Sequence, residues 1–568
     1  MRTQFIGLAV TVAIAGGAAA AHAQDKPITS SDPAAALPPP AEESEPITRE
    51  RPEPPVAGDS EPVVVRFQGA RFEGARSVSP ERLEGAWRDQ VGRELTLTEL
   101  RAIARRAEEI YADAGYPFVA VVVPPQEIRD GVVQFTVVEG RITDLTVLSN
   151  DPVARRQTSA AFEPLLEVAP LSAEDLERQY ELARTTPGLS MAGALRRGSQ
   201  PGGMDLVLQA RRRPFRSYAN INNLFSDPVG PWGALLGVDI YGASLYGDTT
   251  SIQLYSTLDW EEQQVLRLIH SRRINRFGTT IGASVLIADS NPQGVVAPLD
   301  LATDVFAARL DWSHPIISRL WGGVFISGAF DWSDQETKVF GQIALTEDRT
   351  RIASLRLTGR WRNRWLVTSG YVEGRQGLDI FDASRPGDAL LSRAEGDPQA
   401  TVFRAGADGE VKIPRGPRLY GRFEGQWTND ALLAPDEYSV GNLTIGRGYD
   451  PGSAFGDRAA AFTVEARWGP WKVKGPVTAS PFVFYDNVTY WNEDAAGVPE
   501  RTLDSFGGGF RFEWPGKGRL DVLYAEPRDA PLGLGEPEPS GRILVNLTLS
   551  LDDLADRAFG ALTKGDRR

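Results

Sequence analysis

The 568-residue chain has no cysteine, three methionines and three histidines. Without cysteine it has neither disulfides nor thiolate chemistry. His22, His270 and His314 are too few and too scattered for a zinc cluster or a Ser-His-Asp set. His270 and His314 lie in or beside strand-like segments, where structural roles are expected. No GxxxxGK[ST] phosphate loop occurs, so no nucleotide is expected. No segment after the N-terminus offers 18 consecutive apolar residues, so no α-helix is expected to span a membrane. Positive charge is also in deficit, 61 Lys and Arg against 75 Asp and Glu for a net −14. That balance argues against a nucleic-acid partner. No cofactor or metal site is expected.

What is present begins with an export signal. Arg2, the apolar and small-residue run Phe5 to Ala21, and Ala21-His22-Ala23 read as a secretory leader over 1–23. Residues 24–62 are a Pro-rich linker, with Pro38-Pro39-Pro40, Pro52, Pro54 and Pro55 among Glu and Ser; such composition buries too little apolar area to offset ordering entropy. From 63 the pattern changes. Val63 to Phe67 reads as a strand, 80–90 and 97–114 as helices, and Phe118 to Val123 and Val132 to Val138 as two further strands. In the second helix Leu97, Leu100, Ile103, Ala104, Ala107 and Tyr111 repeat at three and four. This βααββ order over 63–140 describes a small α+β module with two helices on a three-stranded sheet. A weaker copy follows over 141–213, with strands at 142–148, 189–196 and 206–210 and helices at 158–167 and 172–185, so the two form a tandem repeat. Sheet edges and helix grooves of this kind suit docking of an extended polypeptide.

Gly115-Tyr116-Pro117, Val123-Pro124-Pro125-Gln126, Asp130-Gly131 and Val138-Glu139-Gly140-Arg141-Ile142 together resemble the signature of polypeptide-transport-associated (POTRA) domains. The match is to those of the two-partner secretion transporters, the haemolysin-activator and filamentous-haemagglutinin transporter family. The resemblance extends over nearly all the chain after the linker.

Residues 214–551 alternate. Ile281, Ala283, Val285 and Ile287 oppose Thr280, Gly282 and Ser284; Phe306, Ala308, Leu310 and Trp312 oppose Arg309 and Asp311; Phe462, Val464, Ala466 and Trp468 oppose Thr463, Glu465 and Arg467. One apolar and one polar face, with aromatics at strand ends, is the pattern of a transmembrane β-barrel. Twelve of the 13 tryptophans lie beyond position 230, as interfacial girdles require. Sixteen strands are expected, with long outward connections at 289–302, 333–350, 376–399, 429–458, 489–504 and 527–540, and a short exception at 261–262. Glu261-Glu262 belongs to that hairpin, where a solvated turn explains the paired carboxylates.

The sixth outward loop contains Arg447-Gly448-Tyr449-Asp450-Pro451-Gly452, a cation, an aromatic ring and a turn former in one hexapeptide, which suggests a loop folded back onto the protein. The resemblance implies that this loop enters the lumen through Arg447, Gly448 and Tyr449, and that Arg447 meets an acidic wall residue. Asp486 in Phe484-Tyr485-Asp486 is similar to the family's strand aspartate, although Val488 stands where glycine is usual. Two other departures are that 24–62 does not look like the plug helix many members carry, and that the last strand lacks a terminal aromatic and precedes a charged tail, 552–568.

The expected fold class is thus N-terminal α+β tandem POTRA domains followed by an all-β, 16-stranded antiparallel transmembrane β-barrel. The expected function is an outer-membrane translocator that takes a secreted exoprotein in unfolded form from the periplasm, in contact with outer-membrane lipid and without nucleic acid, nucleotide or enzymatic step. Substrate docking is expected on the strand carrying Phe118, Ala120 and Val122 and on helix 97–114. A barrel assembly factor and a passive porin or receptor are the alternatives, and tandem modules without a globular plug favour secretion.

Overall fold

The computed structural model describes residues 48–49, 64–200, 202–225, 230–441, 444–493, 500–530 and 540–552. The leader 1–23, the rest of the linker and the tail from 553 lie outside the described residues.

In the first module the helix Leu97–Asp113 starts at a capping box: the Thr96 hydroxyl accepts from the Glu99 amide at 3.3 Å, and the Glu99 carboxylate accepts from the Thr96 amide at 2.7 Å. Its Leu100, Ile103, Ala104, Ala107 and Tyr111 are buried against the sheet. The other expected helix, 80–90, is shorter than expected: Pro80–Leu83 is α-helical and single 3₁₀ turns follow. The sheet also differs from expectation. Its order is Gly69–Glu73, Val132–Glu139, Val119–Val122, while Val64–Arg66 pairs separately with Glu94–Thr96. Gly69–Glu73, with one glycine and two charges, has weak strand character by itself; it is held by parallel pairing to Val132–Glu139 and by Phe72 stacking on Phe135 at 5.1 Å.

Several signature residues are explained locally. The Gln126 side chain both donates to the Gln134 carbonyl and accepts from its amide at 2.7 Å, substituting for a strand backbone. Glu139 accepts from the amides of Arg76 and Ser77 and from the Tyr111 hydroxyl. A Cβ on Gly140 would lie 2.1 Å from the Phe118 carbonyl oxygen, so only glycine fits there.

The second module repeats this topology. Arg141–Leu148 runs parallel to Gly203–Arg212, which is antiparallel to Leu189–Arg197; the helices are Pro152–Phe162 and Ala173–Arg184. A fourth strand, Thr48–Arg49 from the linker, lies parallel on the outer edge of Leu189–Arg197.

The barrel closes with sixteen staves. The first eight are Phe215–Asn222, Gly233–Tyr241, Asp248–Thr257, Gln263–Arg273, Thr280–Ser290, Ala302–Arg319, Gly322–Val339 and Ile343–Arg362. The last eight are Leu366–Gly377, Thr401–Lys412, Arg418–Trp427, Arg458–Arg467 with its continuation Trp471–Lys474, Val477–Trp491, Arg501–Trp514, Gly518–Pro527 and Arg542–Ser550. Strand sixteen pairs with strand one from Tyr218 with Ser550 to Asn222 with Asn546, leaving no edge. Outward residues such as Leu236, Val238, Ile240, Ile281 and Ile287 are exposed as a lipid-facing surface requires. His270 and His314 each sit on a strand with a ring nitrogen against a threonine hydroxyl, Thr250 and Thr279 respectively.

Residues 333–350 are not a loop. Strands seven and eight run for 18 and 20 residues and meet at a tight turn around Phe340 and Gly341, well beyond the ~9–11 residues that cross a bilayer. Above the membrane both faces of the ribbon meet water, so the alternation that marks a strand is absent from its sequence. Cross-strand pairs such as Arg351–Asp334 at 2.7 Å hold it instead. Strands thirteen and fourteen likewise extend into the expected loop 489–504.

The second module docks on the short turns at one end of the barrel. Gln157 donates to the Ser244 carbonyl at 2.8 Å, Arg273 donates to the Leu182 carbonyl at 2.6 Å, and Arg319 pairs with Glu174. Glu181 lies buried in this junction, 2.8 Å from Arg184 and 3.5 Å from Arg362. Burial pushes its carboxyl up to about 7, opposed by Arg362 and reinforced by Glu177. An undocked helix releases that proton near the ordinary 4.5, whereas the docked helix keeps it to about 7, so docking weakens as pH rises across this window. Amide exchange of Ala173–Arg184, corrected for intrinsic rates, is expected to lose protection between about pH 5 and pH 7.5, and Glu181→Gln to remove the slope. A wild-type slope of opposite sign would refute this role.

Candidate functional site in the barrel lumen

Strands twelve and thirteen present a receptor built by register. Thr463 lies directly across from Asp486, and Glu465 from Phe484, so these four side chains form a block on the inward face. Their neighbours Phe462, Val464 and Tyr485 face outward and are exposed. The connection 428–457 turns back and inserts Arg447 into this block. The guanidinium is 1% exposed and Asp486 0%. Nε donates to Asp486 Oδ2 at 2.9 Å and Nη2 to Asp486 Oδ1 at 2.6 Å, while Nη1 donates to Glu465 Oε1 at 2.5 Å and Nη2 also to Thr463 Oγ1 at 2.7 Å. The Arg447 amide donates to Asp486 Oδ2 at 3.0 Å, and Cζ sits 3.5 Å above the Phe484 ring. A planar five-donor cation is thus bound edgewise by two carboxylates and facewise by an aromatic ring.

The other motif residues hold the same geometry. A Cβ on Gly448 would come within 2.7 Å of Ser505 Cβ and 2.9 Å of the Pro527 nitrogen, so the loop backbone reaches the wall only through glycine. Tyr449 is buried, with its hydroxyl donating to the Asp504 carbonyl at 2.7 Å. Around it Tyr438, Val440, Ile445 and Ala454 of the loop pack on wall residues Ala459, Ala461, Val488, Tyr490 and Leu503. Val488, where glycine was the usual residue, fills this small core beside Gly446; a Cβ on Gly446 would stand 3.6 Å from it.

Glu465 was legible as an inward residue but not as a partner of Arg447. It is shared among Arg447, Arg467 at 2.7 Å and Arg511 at 3.1 Å. The chain continues from Arg511 to Asp521 and from Arg467 to Glu410. Thr463 and Phe484 were also missed as ligands, because alternation shows which face a residue occupies and not which residue lies opposite. A second clamp was missed altogether: Arg393, in the connection 378–400, pairs with Asp457 at 2.5 Å and Glu437 at 3.0 Å, tying two outward loops together.

Of the expected docking residues, Ala120 and Val122 share the exposed face of Val119–Val122. Phe118 does not join them; it packs against the core of the second module. On the strand's free edge the Val121 amide donates to the Glu108 carboxylate at 2.9 Å, so helix Leu97–Asp113 covers part of it.

A POTRA domain family model of the ShlB type matches residues 65–140, and the model of the haemolysin secretion/activation proteins ShlB/FhaC/HecB matches 326–511, the span that contains Arg447, Glu465 and Asp486. The chain belongs to the two-partner secretion transporter family. The heme/hemopexin transporter protein HuxB of Haemophilus influenzae is 20% identical over 467 residues, covering 80% of this chain and 82% of that protein. Among solved structures, CdiB from Escherichia coli aligns over 88% of this chain and 92% of its own at 15% identity and a TM-score of 0.70. CdiB from Acinetobacter baumannii aligns over 89% and 94% at 14% identity and a TM-score of 0.61. These structures share the fold. The two-partner secretion transporter described here is an outer-membrane translocator with its POTRA modules in the periplasm. The end on which the second module docks is therefore the periplasmic end.

Arg447→Lys is expected to release the loop nearly as fully as Arg447→Ala, since an ammonium cannot hold Asp486 and Glu465 while stacking on Phe484. Each should expose 428–457 to protease in the intact barrel and cost about 3–5 kcal/mol of local stability, as breaking a buried ion pair does. Arg447→Asp combined with Asp486→Arg keeps the charge balance beside Glu465 and is expected to protect the loop better than either single exchange.

Proposed function

We propose that the two POTRA modules take up the exported partner as an unfolded chain, that the barrel conducts it outward, and that the loop held at Arg447 sets the state of the pore. The observation that carries this reading is the cage on Arg447, because it ties a 428–457 connection to the lumenal wall at one residue. A buried arginine with two carboxylates is costly to assemble from water, and its best-attested use is to specify one arrangement among several. The lumen beside it is lined by alternating charges on Glu410, Arg467, Glu465, Arg511 and Asp521, which suits passage of a hydrated polypeptide without strong adhesion. Lipid contact falls to the outward apolar face. Members of the family are transporters, and the reading assigns this chain no catalytic step. Driving force would come from folding of the partner outside the cell, in keeping with the absence of a phosphate loop from the sequence.

Single-channel recording in a planar bilayer tests the loop's role. Arg447→Ala is expected to raise the mean open conductance or the open fraction at least about twofold over wild type, because the released loop changes the lumenal cross-section. Identical currents from two folded barrels would overturn it.

A further inference from the structure

The periplasmic end of the barrel has two parts. The second module is seated on the turn 242–247 and on Arg273, Arg319 and Arg362, along strands two to eight. Past Arg362 come four successive turns, 363–365, 413–417, 468–476 and 515–517, which join strands eight to fifteen in pairs. Together they carry Arg364, Arg415, Lys472, Lys474 and Lys517 and no Asp or Glu, in a chain with 75 acidic residues and a net charge of −14. The outward connections 378–400 and 428–457, at the other end of the same strands, hold five carboxylates each against three arginines in all, so the positive excess belongs to one end and not to connections in general. Residue type is selective as well. Seven lysines occur in the chain and three of them stand in these turns, whereas the ion pairs around Glu465 in the lumen use arginine. Arginine suits fixed forks on a rigid wall; lysine is a mobile point charge that suits a phosphate of variable position.

All five cationic residues are exposed, and Trp365, Trp468 and Trp471 are exposed beside them. The Arg364 guanidinium lies 4.7 Å from the centre of the Trp365 ring. Trp471–Lys474 pairs back on strand thirteen with all four residues exposed, so an aromatic ring, an apolar Val473 and two ammonium groups project from one hairpin. Carboxylates at the adjoining strand ends are already matched: Glu410 is 3.4 Å from Arg418 and 3.0 Å from Arg467, and Glu513 stands across from Arg519. We propose that these four turns form a binding surface for anionic phospholipid headgroups of the periplasmic leaflet, with phosphatidylglycerol as the simplest such ligand. Tryptophan seeks the membrane–water interface, which sets the turns at headgroup depth, and the long cationic side chains reach phosphates from there. A chain of net −14 is repelled as a whole by an anionic surface. The Debye length is only ~10 Å at 0.1 M salt, however, so a lipid against these turns meets their cations and not the carboxylates at the outer end. The contact anchors the part of the rim that follows the seated module, independently of whether the pore conducts a chain.

The test titrates the full chain, purified in a non-ionic detergent, with fluorescent phosphatidylglycerol and, separately, with phosphatidylcholine of the same acyl chains and label. Wild type is expected to bind phosphatidylglycerol at least about fivefold more tightly at low salt, and the preference to shrink below about twofold at about 0.5 M salt. Combining Arg364→Gln, Arg415→Gln, Lys472→Gln, Lys474→Gln and Lys517→Gln should abolish the preference. Combining Arg364→Lys, Arg415→Lys, Lys472→Arg, Lys474→Arg and Lys517→Arg should keep it, because charge and reach are retained. Folding of each barrel is read from its heat-dependent mobility on a gel. The pair Lys472→Gln and Lys474→Gln, confined to the hairpin beyond strand twelve, should lower the preference at least about twofold and serves if the fivefold glutamine variant does not assemble. Equal affinity of wild type for the two lipids would overturn the assignment, as would an undiminished preference in the folded glutamine variant. If wild type shows no preference while the glutamine variant impairs secretion of a large exported protein encoded beside this chain, the turns serve that protein and the lipid assignment falls.

Discussion

An unpaired backbone N–H or C=O in hydrocarbon costs several kcal/mol, and this chain meets the constraint by pairing every stave with two neighbours and the last with the first. The rest of the architecture depends on that closure. With no free edge in the membrane, each stave alternates between lipid and lumen, and the inward half of about 340 residues becomes polar surface that faces itself across a narrow space. Charges there cannot all be solvated as they would be on an open sheet. They settle into a ladder in which Glu465 serves three arginines, and one of those arginines belongs to a loop.

The Arg447 cage follows from geometry that a closed wall makes rigid. Strands twelve and thirteen place Thr463, Glu465, Phe484 and Asp486 at the corners of a lattice set by strand spacing, and a guanidinium has the planar fork to match it. Gly448 is required for a different reason, the close approach of the loop backbone to Ser505 and Pro527. Arginine and glycine are thus chosen by separate constraints that meet at one position. The Arg393–Asp457 clamp extends the same logic to a second outward loop, so the Arg447 loop is tied both in the lumen and to a neighbour.

The periplasmic modules obey the opposite rule. Outside the membrane water can satisfy an open edge, and such an edge must be kept from pairing indiscriminately. Glu108 does this on one module and Thr48–Arg49 on the other. The junction with the barrel uses arginines at the barrel rim and a buried Glu181, which makes docking of the second module responsive to protonation.

Sequence alone determined which residues face lipid, since a period of two is a local property of each strand; it also marked the helix Leu97–Asp113 and the Arg-Gly-Tyr loop. It was silent wherever both faces see the same solvent, which is why the ribbon at 333–350 read as a loop, and where a weak strand such as Gly69–Glu73 owes its state to a partner far along the chain. Tertiary structure alone decided who faces whom. Asp486 could be named from its resemblance to a family motif, but Glu465, Thr463 and Phe484 became ligands of Arg447 only through the register of strand twelve on strand thirteen, and the Leu189–Arg197 edge received Thr48–Arg49 through contact across more than 140 residues. Register is a relation between segments, and no periodicity within either segment encodes it.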